Sequence, residues 1–353
     1  MNEQIYSIYS HADTDGGIAA AIFGRHILEQ YGKYGWKCNI IPVNHGANQV
    51  DWALVDIQWP CAILDFTLHP QLLNERFYTK ELQTSIRLGG ADKVPPSVWI
   101  DHHPTGSSYT FLNAHNLKDY MPHVLSKWDV SAISTPGLMR THYKDLGLPL
   151  TLLEEYEDLI DLAEIIDGAL FANADAAHDF SSDAIRLQTL FTSSHPAVNR
   201  DELYKKLVHH IIQNASVEDL FDVDPIFKGL IDFERKLHSQ QMRSYLNATT
   251  KIGRVALSNF WNAEHFSGLG KFVPYILHPE VEYAIHIMPR KDGIGTISCG
   301  INPWNKPTGH DRHLGNYFAK HFNGGGHAFV AGGKVSEENL KSIEDLITFI
   351  NSD

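Results

Sequence analysis

Cysteine is scarce in this chain. Cys38, Cys61 and Cys299 are the three in 353 residues. They are too few and too scattered for a disulfide framework or a CxxC metal knuckle, so a reducing, cytoplasmic setting is expected. Long apolar runs are missing too: none approaches the roughly 20 residues that cross a bilayer. The opening MNEQIYSIYSHADTDGG has no basic n-region and no long apolar stretch, which argues against a signal peptide. Positive charge is in deficit, with 29 Lys and Arg against 42 Asp and Glu and a net charge of -13. A protein that grips long nucleic acid through many phosphates usually needs a basic face. Long duplexes and membranes are therefore not expected as partners, and the balance favours a short or small substrate. A homodimer is compatible with the sequence. Internal repeats and low-complexity segments are absent.

What is present describes an ordinary globular protein, 43% hydrophobic and 20% charged, long enough for two domains. The first part alternates strand-like and helix-like stretches. IYSIYS (5–10) reads as a strand and GGIAAAIFGRHILEQYG, from Gly16, as the helix after it. KCNIIPVNH from Lys37, CAILDFT from Cys61 and SVWIDHHP from Ser97 read as further strands. Such alternation predicts an α/β fold, a mostly parallel sheet with helices on both faces. From about Asp129 the pattern turns helical, and 225–248 reads as a connector. RVALSNF, EYAIHIMPR, GIGTISCG and HLGNYFAKHF then predict a smaller α/β domain. The expected division is 1–190 catalytic, 191–250 helical extension and connector, and 251–353 a C-terminal substrate-binding domain.

Polar residues able to do chemistry stand at the ends of the predicted strands, where open parallel sheets bind ligands. HADTDGG places His11, Asp13 and Asp15 in one turn between strand and helix. Asp15 could equally cap that helix, and Asp13 could serve the turn. Asp65 closes a buried apolar strand, a costly position unless the carboxylate is paired, hydrogen-bonded or bound to metal; a turn cap is the plainer alternative. Asp101, His102 and His103 follow SVWI and precede a proline. Asp167, in LAEIIDGA, should lie near the buried edge of its helix, or else simply end it before Gly168. Asp158, Asp161 and Glu164 read as a solvated face. Together, four aspartates and two histidines make a mixed oxygen and nitrogen ligand set suited to Mn2+ or a similar ion. A carboxylate bridging two ions about 4 Å apart is the usual arrangement for phosphoryl hydrolysis, because the ions neutralise the phosphate, activate water and stabilise the leaving oxygen.

HADTDGG, LDF, WIDHHP and LAEIIDGA resemble, in order, the four motifs of the DHH phosphoesterases. That family includes RecJ-type single-strand exonucleases, nano-RNases, cyclic-dinucleotide phosphodiesterases and family II pyrophosphatases. NGGGHAFVAGG (323–333) resembles the signature of the C-terminal domain in the nuclease branch, so the resemblance runs from residue 11 to 333. It implies a hydrolase with two ions, Mn2+ by preference and Mg2+ or Co2+ as alternatives. His11, Asp13 and Asp65 would hold one ion; Asp15, Asp65, His102 and Asp167 would hold the other, with Asp65 shared. Catalysis would involve Asp101, His102 and His103, with His103 facing the substrate phosphate and Asp101 orienting its neighbours or sitting close to a metal. Gly324, Gly325, Gly326 and His327 would bind substrate, glycine allowing backbone N–H groups close to phosphate oxygens. The same run also suits a loop that needs positive φ. His11 stands where RecJ-type members usually carry Asp, Val330 replaces the first alanine of the AAG ending, and Gly300 stands where an arginine is common. The resemblance implies hydrolysis of short oligonucleotides or small nucleotides. A processive single-strand exonuclease and an inactive nucleotide-binding scaffold are the competing readings.

Overall fold

A computed structural model describes residues 4–43, 57–67, 93–103, 124–193, 195–263, 270–288, 293–308, 312–326 and 328–352. Two compact units emerge, one of Met1–Leu170 with Ser181–Ile231, the other of Phe171–Phe180 with Asp232–Asp353.

The first unit is built on a parallel sheet of β1 (Gln4–His11), β2 (Trp36–Val43), β3 (Cys61–Leu64), β4 (Ser97–Asp101) and β5 (Val124–Trp128), in the order β2-β1-β3-β4-β5. β3 and β4 are buried at every position, as the unbroken apolar runs CAIL and SVWI require of strands covered on both faces. Between β1 and β2 runs α1 (Thr14–Tyr31), whose small and aliphatic residues from Gly16 to Ile22 are all buried. Later helices are α2 (Thr135–Thr141), α3 (Leu150–Glu155), α4 (Glu157–Asp167), α5 (Asp183–Thr192), α6 (Arg200–Gln213) and α7 (Val217–Asp222). α1 packs on β1 and β2 and is covered in turn by α6, while α2 packs on β4. β5 was not among the expected strands: VLSKW is half-exposed at the sheet edge, with only Val124 buried, so its apolar signal is weak.

α8 (Pro225–Ala248) spans the expected connector. The second unit holds a mixed sheet of β6 (Thr249–Ile252), β7 (Val255–Asn259), β8 (Tyr283–Met288), β9 (Gly295–Ile301), β10 (Gly325–Gly326) and β11 (Val330–Val335), ordered β10-β11-β9-β8-β7-β6. Its helices are α9 (Val273–Leu277), α10 (Leu314–His321) and α11 (Lys341–Asn351). Its core joins Ile285, Ile297 and Cys299 of the sheet with Phe318 of α10, Phe322 just beyond it, and Leu346 of α11.

One glycine decides how closely α1 meets β1. A Cβ at Gly16 would lie 2.2 Å from the His11 carbonyl oxygen and 2.8 Å from its nitrogen, both immobile backbone atoms. Gly16→Ala should therefore destabilise the metal-free protein by about 1–3 kcal/mol through overpacking, despite alanine's better helix propensity. Denaturant unfolding checks this; a gain in stability would mean that the helix start does not press on the strand end.

Candidate metal centre

The chain leaves β1 toward β2 on one side and β3 on the other. The carboxyl ends of β1 and β3 thus form the point where the winding reverses, the usual ligand crevice of open parallel sheets. His11 is the last residue of β1, Asp65 follows β3, Asp101 ends β4, and His102 and His103 come directly after it. Asp167 ends α4. The helix cap of α1 is Asp13, whose Oδ1 accepts from Gly16 N at 3.0 Å. Asp15 does not cap; it lies in the first turn, 3% exposed. Asp161 and Glu164, read as a solvated face, pair with Arg140.

All of the strand-end residues and Asp167 converge. His11 Nδ1 lies 2.7 Å from Asp13 Oδ2 and 3.6 Å from Asp65 Oδ2. His102 Nε2 lies 3.2 Å from Asp15 Oδ2, 3.4 Å from Asp65 Oδ1 and 3.7 Å from Asp167 Oδ2. Three groups have ligand atoms within 4.8 Å of one another: His11, Asp13 and Asp65; Asp15, His102 and Asp167; and Asp65, His102 and His103. Asp65 therefore offers one oxygen to the His11 side and the other to the His102 side. Its backbone sits at φ 56, a region that L-residues rarely adopt, and its N–H is tied to the Ile100 carbonyl at 2.9 Å. Such a conformation persists only where the surroundings impose it. Asp101 is fully buried and stands outside the metal-like groups apart from its neighbours. Its Oδ1 accepts from His103 N at 3.2 Å and meets His103 Nδ1 at 2.8 Å, so it orients that ring.

The charges explain what the cluster lacks. Among the described residues, the ion pairs of Asp13, Asp15, Asp65, Asp101 and Asp167 run only to His11, His102 and His103. Burial pulls His11 down, but the carboxylates of Asp13 and Asp65 beside it overcome that and raise the ring to about 10. His102 is also opposed by burial, yet Asp15 and Asp65 push it up to about 12. His103 is raised by Asp101 and Asp65 against the same burial. Burial and the Asp65 charge raise Asp15, outweighing His102. Asp65 also feels burial, but its histidine neighbours hold it well below the usual carboxylate range. Asp167, the open edge of the cluster at 37% side-chain exposure, is nonetheless raised to about 6 by desolvation and by the Asp65 and Asp13 charges, against the pull of His102. Buried Asp65 Oδ2 and His102 Nε2 have no hydrogen-bond partner. Five carboxylates facing three imidazoles, with orphaned ligand atoms aimed inward, fit divalent cations.

The residues that hold the cluster were not visible in the sequence reading. Thr135, at the start of α2, donates its N–H to both oxygens of Asp15, at 3.1 and 3.0 Å, and its hydroxyl to Asp65 Oδ1 at 3.1 Å. The Ala132 carbonyl accepts from His102 Nδ1 at 3.2 Å, which directs Nε2 into the cluster. Tyr204 of α6 donates to the His11 carbonyl at 2.8 Å and meets Ser10 Oγ at 2.7 Å. Thr67 donates to Asp101 Oδ2 at 3.3 Å. The STPG start of α2, a Ser cap followed by Pro, was the one legible signal; Tyr204 gave none.

In the second unit, Gly325 pairs with Gly332 and Gly326 with Ala331. A Cβ at Gly324 would meet the Gly332 oxygen at 2.0 Å, and one at Gly326 (φ +140) the Val330 oxygen at 2.4 Å. Nothing lies within 4 Å of a Cβ at Gly325. Two of the three glycines are thus demanded by strand packing, and Gly325 alone leaves room for another molecule's approach. His327 lies outside the described residues. Val330 is paired with Gly300 and, like Phe329, is exposed.

A metal must displace the protons that His11 and His102 hold at neutral pH, because a ligating nitrogen needs its lone pair. Both rings stay protonated up to about 10 and about 12, so near pH 7 Mn2+ binding should release about two protons or more, Asp15 adding to the count. Apparent affinity should rise with pH. Calorimetric titration in buffers of different ionisation enthalpy counts the protons, and a count of zero would remove the imidazoles from the site.

No family model matches the sequence, and no curated protein does. Among solved structures, the chain is similar to the pGpG-specific phosphodiesterase PggH from Vibrio cholerae, with TM-score 0.68, 18% identity and 99% of each chain covered. It is also similar to RecJ from Thermus thermophilus, solved with Mn2+, with TM-score 0.56 and 14% identity. That match covers 99% of this chain and 52% of RecJ, so the chain spans about half of RecJ's length. The likeness to these two structures is one of fold, here a parallel five-stranded sheet followed by a second unit with a mixed sheet.

Proposed function

We propose that this chain is a two-metal phosphoesterase that hydrolyses phosphodiester or phosphate bonds of short oligonucleotides or small nucleotides, with Mn2+ as its ion. The observation that carries this reading is the divided Asp65 carboxylate, Oδ2 facing His11 and Oδ1 facing His102, at the switch point of the sheet. His11, Asp13 and Asp65 would hold one ion, and Asp15, Asp65, His102 and Asp167 the other. Bound there, the ions supply the Lewis acid and the activated water that phosphoryl hydrolysis needs. His103, 26% exposed and with its pKa raised by Asp101 and Asp65 against burial, would donate to a phosphate oxygen. Asp101 would hold that ring in place. In the second unit, Gly324, Gly325, Gly326 and His327 would bind substrate. The likeness to a phosphodiesterase that acts on pGpG supports a substrate of dinucleotide size.

The protein itself limits substrate length. Each phosphate neutralised on a single strand adds about 0.7 to the salt slope of binding, and a net charge of -13 repels a chain that extends past the site. With Mn2+, the full chain should hydrolyse dinucleotides and strands up to about five nucleotides best, with no fall in KM on lengthening toward about twenty. Phosphoadenosine phosphate, cyclic dinucleotides, pyrophosphate, and short RNA and DNA complete the panel. Affinity that climbs steadily beyond about ten nucleotides would favour a processive exonuclease of the RecJ type.

Asp65→Ala should abolish activity and remove both ions, since one carboxylate serves both groups. Elemental analysis decides: an inactive variant that retains two ions would refute the shared role.

A further inference from the structure

Thr135 is fully buried, follows the α2 cap Ser134 and precedes Pro136, so its backbone has little freedom. Its branched Cβ limits its side chain as well. From this fixed position it reaches two carboxylates that repel one another. The N–H is shared between both Asp15 oxygens, and the hydroxyl is spent on Asp65 Oδ1. The oxygen that the hydroxyl holds, Oδ1, is the one that faces His102 Nε2 at 3.4 Å. Here the remaining oxygen, Oδ2, is buried, makes no hydrogen bond, and faces His11 Nδ1 at 3.6 Å.

We propose that Thr135 is the positioning residue that holds Asp65 Oδ1 toward His102 and so sets the Asp15–His102–Asp167 group. The inference rests on the two-metal reading above. The His11 group has a different support: Tyr204 holds it through the His11 carbonyl, with no hydrogen bond to either carboxylate that Thr135 touches. The two halves of the centre are therefore separable by substitution.

The test is Mn2+ binding to the full chain by calorimetry and elemental analysis, with metal-free melting measured alongside. The ion of the Asp15 group is identified as the one lost in Asp167→Asn. Thr135→Val, which removes the hydroxyl at nearly constant shape, should weaken that ion about 10–100-fold and leave the other within about threefold. Thr135→Ser should bind both within about threefold of the natural chain, while Tyr204→Phe should show the opposite preference. If Thr135→Val does not fold, Thr135→Ala against Thr135→Ser gives the same comparison. Lower metal-free melting with both affinities unchanged would make Thr135 merely structural and overturn the inference. So would equal weakening of both ions without rescue by serine. A natural chain that binds no Mn2+ would sink the two-metal reading and this inference together; two ions bound alike in the natural chain and Thr135→Val would sink this inference alone.

Discussion

Five aspartates gathered at one edge of a buried sheet repel each other, and the structure has to bring positive charge to the same place. Without metal the imidazoles supply it. His11 and His102 have raised pKa values, so their stabilisation is complete below the ordinary histidine range near 6.5 and fades as pH climbs through about 10 and about 12. Asp65 works the other way: its depressed pKa contributes above the ordinary carboxylate range near 4 and is lost as pH falls. The supports coexist around neutrality. Asp15 and Asp167 have the opposite sign, since raised carboxyl pKa values mean that their ionisation opposes folding there. The cluster thus tolerates its charges with protons and retains a deficit that a divalent ion would fill.

That constraint reaches back into the fold. The carboxylates must approach within hydrogen-bonding range of the histidines, so α1 has to begin two residues beyond β1, and Gly16 is what lets it press against the His11 backbone. Asp13 then does two jobs with two oxygens, capping α1 with Oδ1 and holding His11 with Oδ2. α2 brings Thr135 and α6 brings Tyr204 onto the same few atoms. Sheet, helix start and supporting helices are coupled because each contributes polar groups to a site that none could form alone.

Much of this was legible in the sequence because strand-end chemistry leaves a local mark. IYSIYS, CAIL and SVWI are apolar runs that stop at a His or an Asp, and these stops become the ligand crevice. Asp167 was legible as the end of an amphipathic helix, and the structure adds its 3.7 Å approach to His102. What was not legible lies in contacts distant in sequence. Tyr204 reaches a carbonyl 193 residues away, and Thr135 reaches across 120 and 70 residues. A buried hydroxyl must find a partner, but nothing in its local sequence says which one. β5 escaped notice for a different reason: an edge strand with one buried residue has almost no apolar period to detect.

The glycine run shows how a motif can mislead about its own cause. NGGGHAFVAGG invites the thought that every glycine serves a phosphate, yet Gly324 and Gly326 would be needed by a protein that bound nothing, since their Cβ positions collide with the backbone of Gly332 and Val330. Packing makes no such demand at Gly325, which pairs with Gly332 and has open space where a side chain would be. A residue free of structural obligation is the one whose identity can report on a ligand. Substituting all three glycines together would collapse the β10–β11 pairing and mix the two causes. Gly325 separates them, because a Cβ there has no protein atom within 4 Å and so leaves the fold undisturbed.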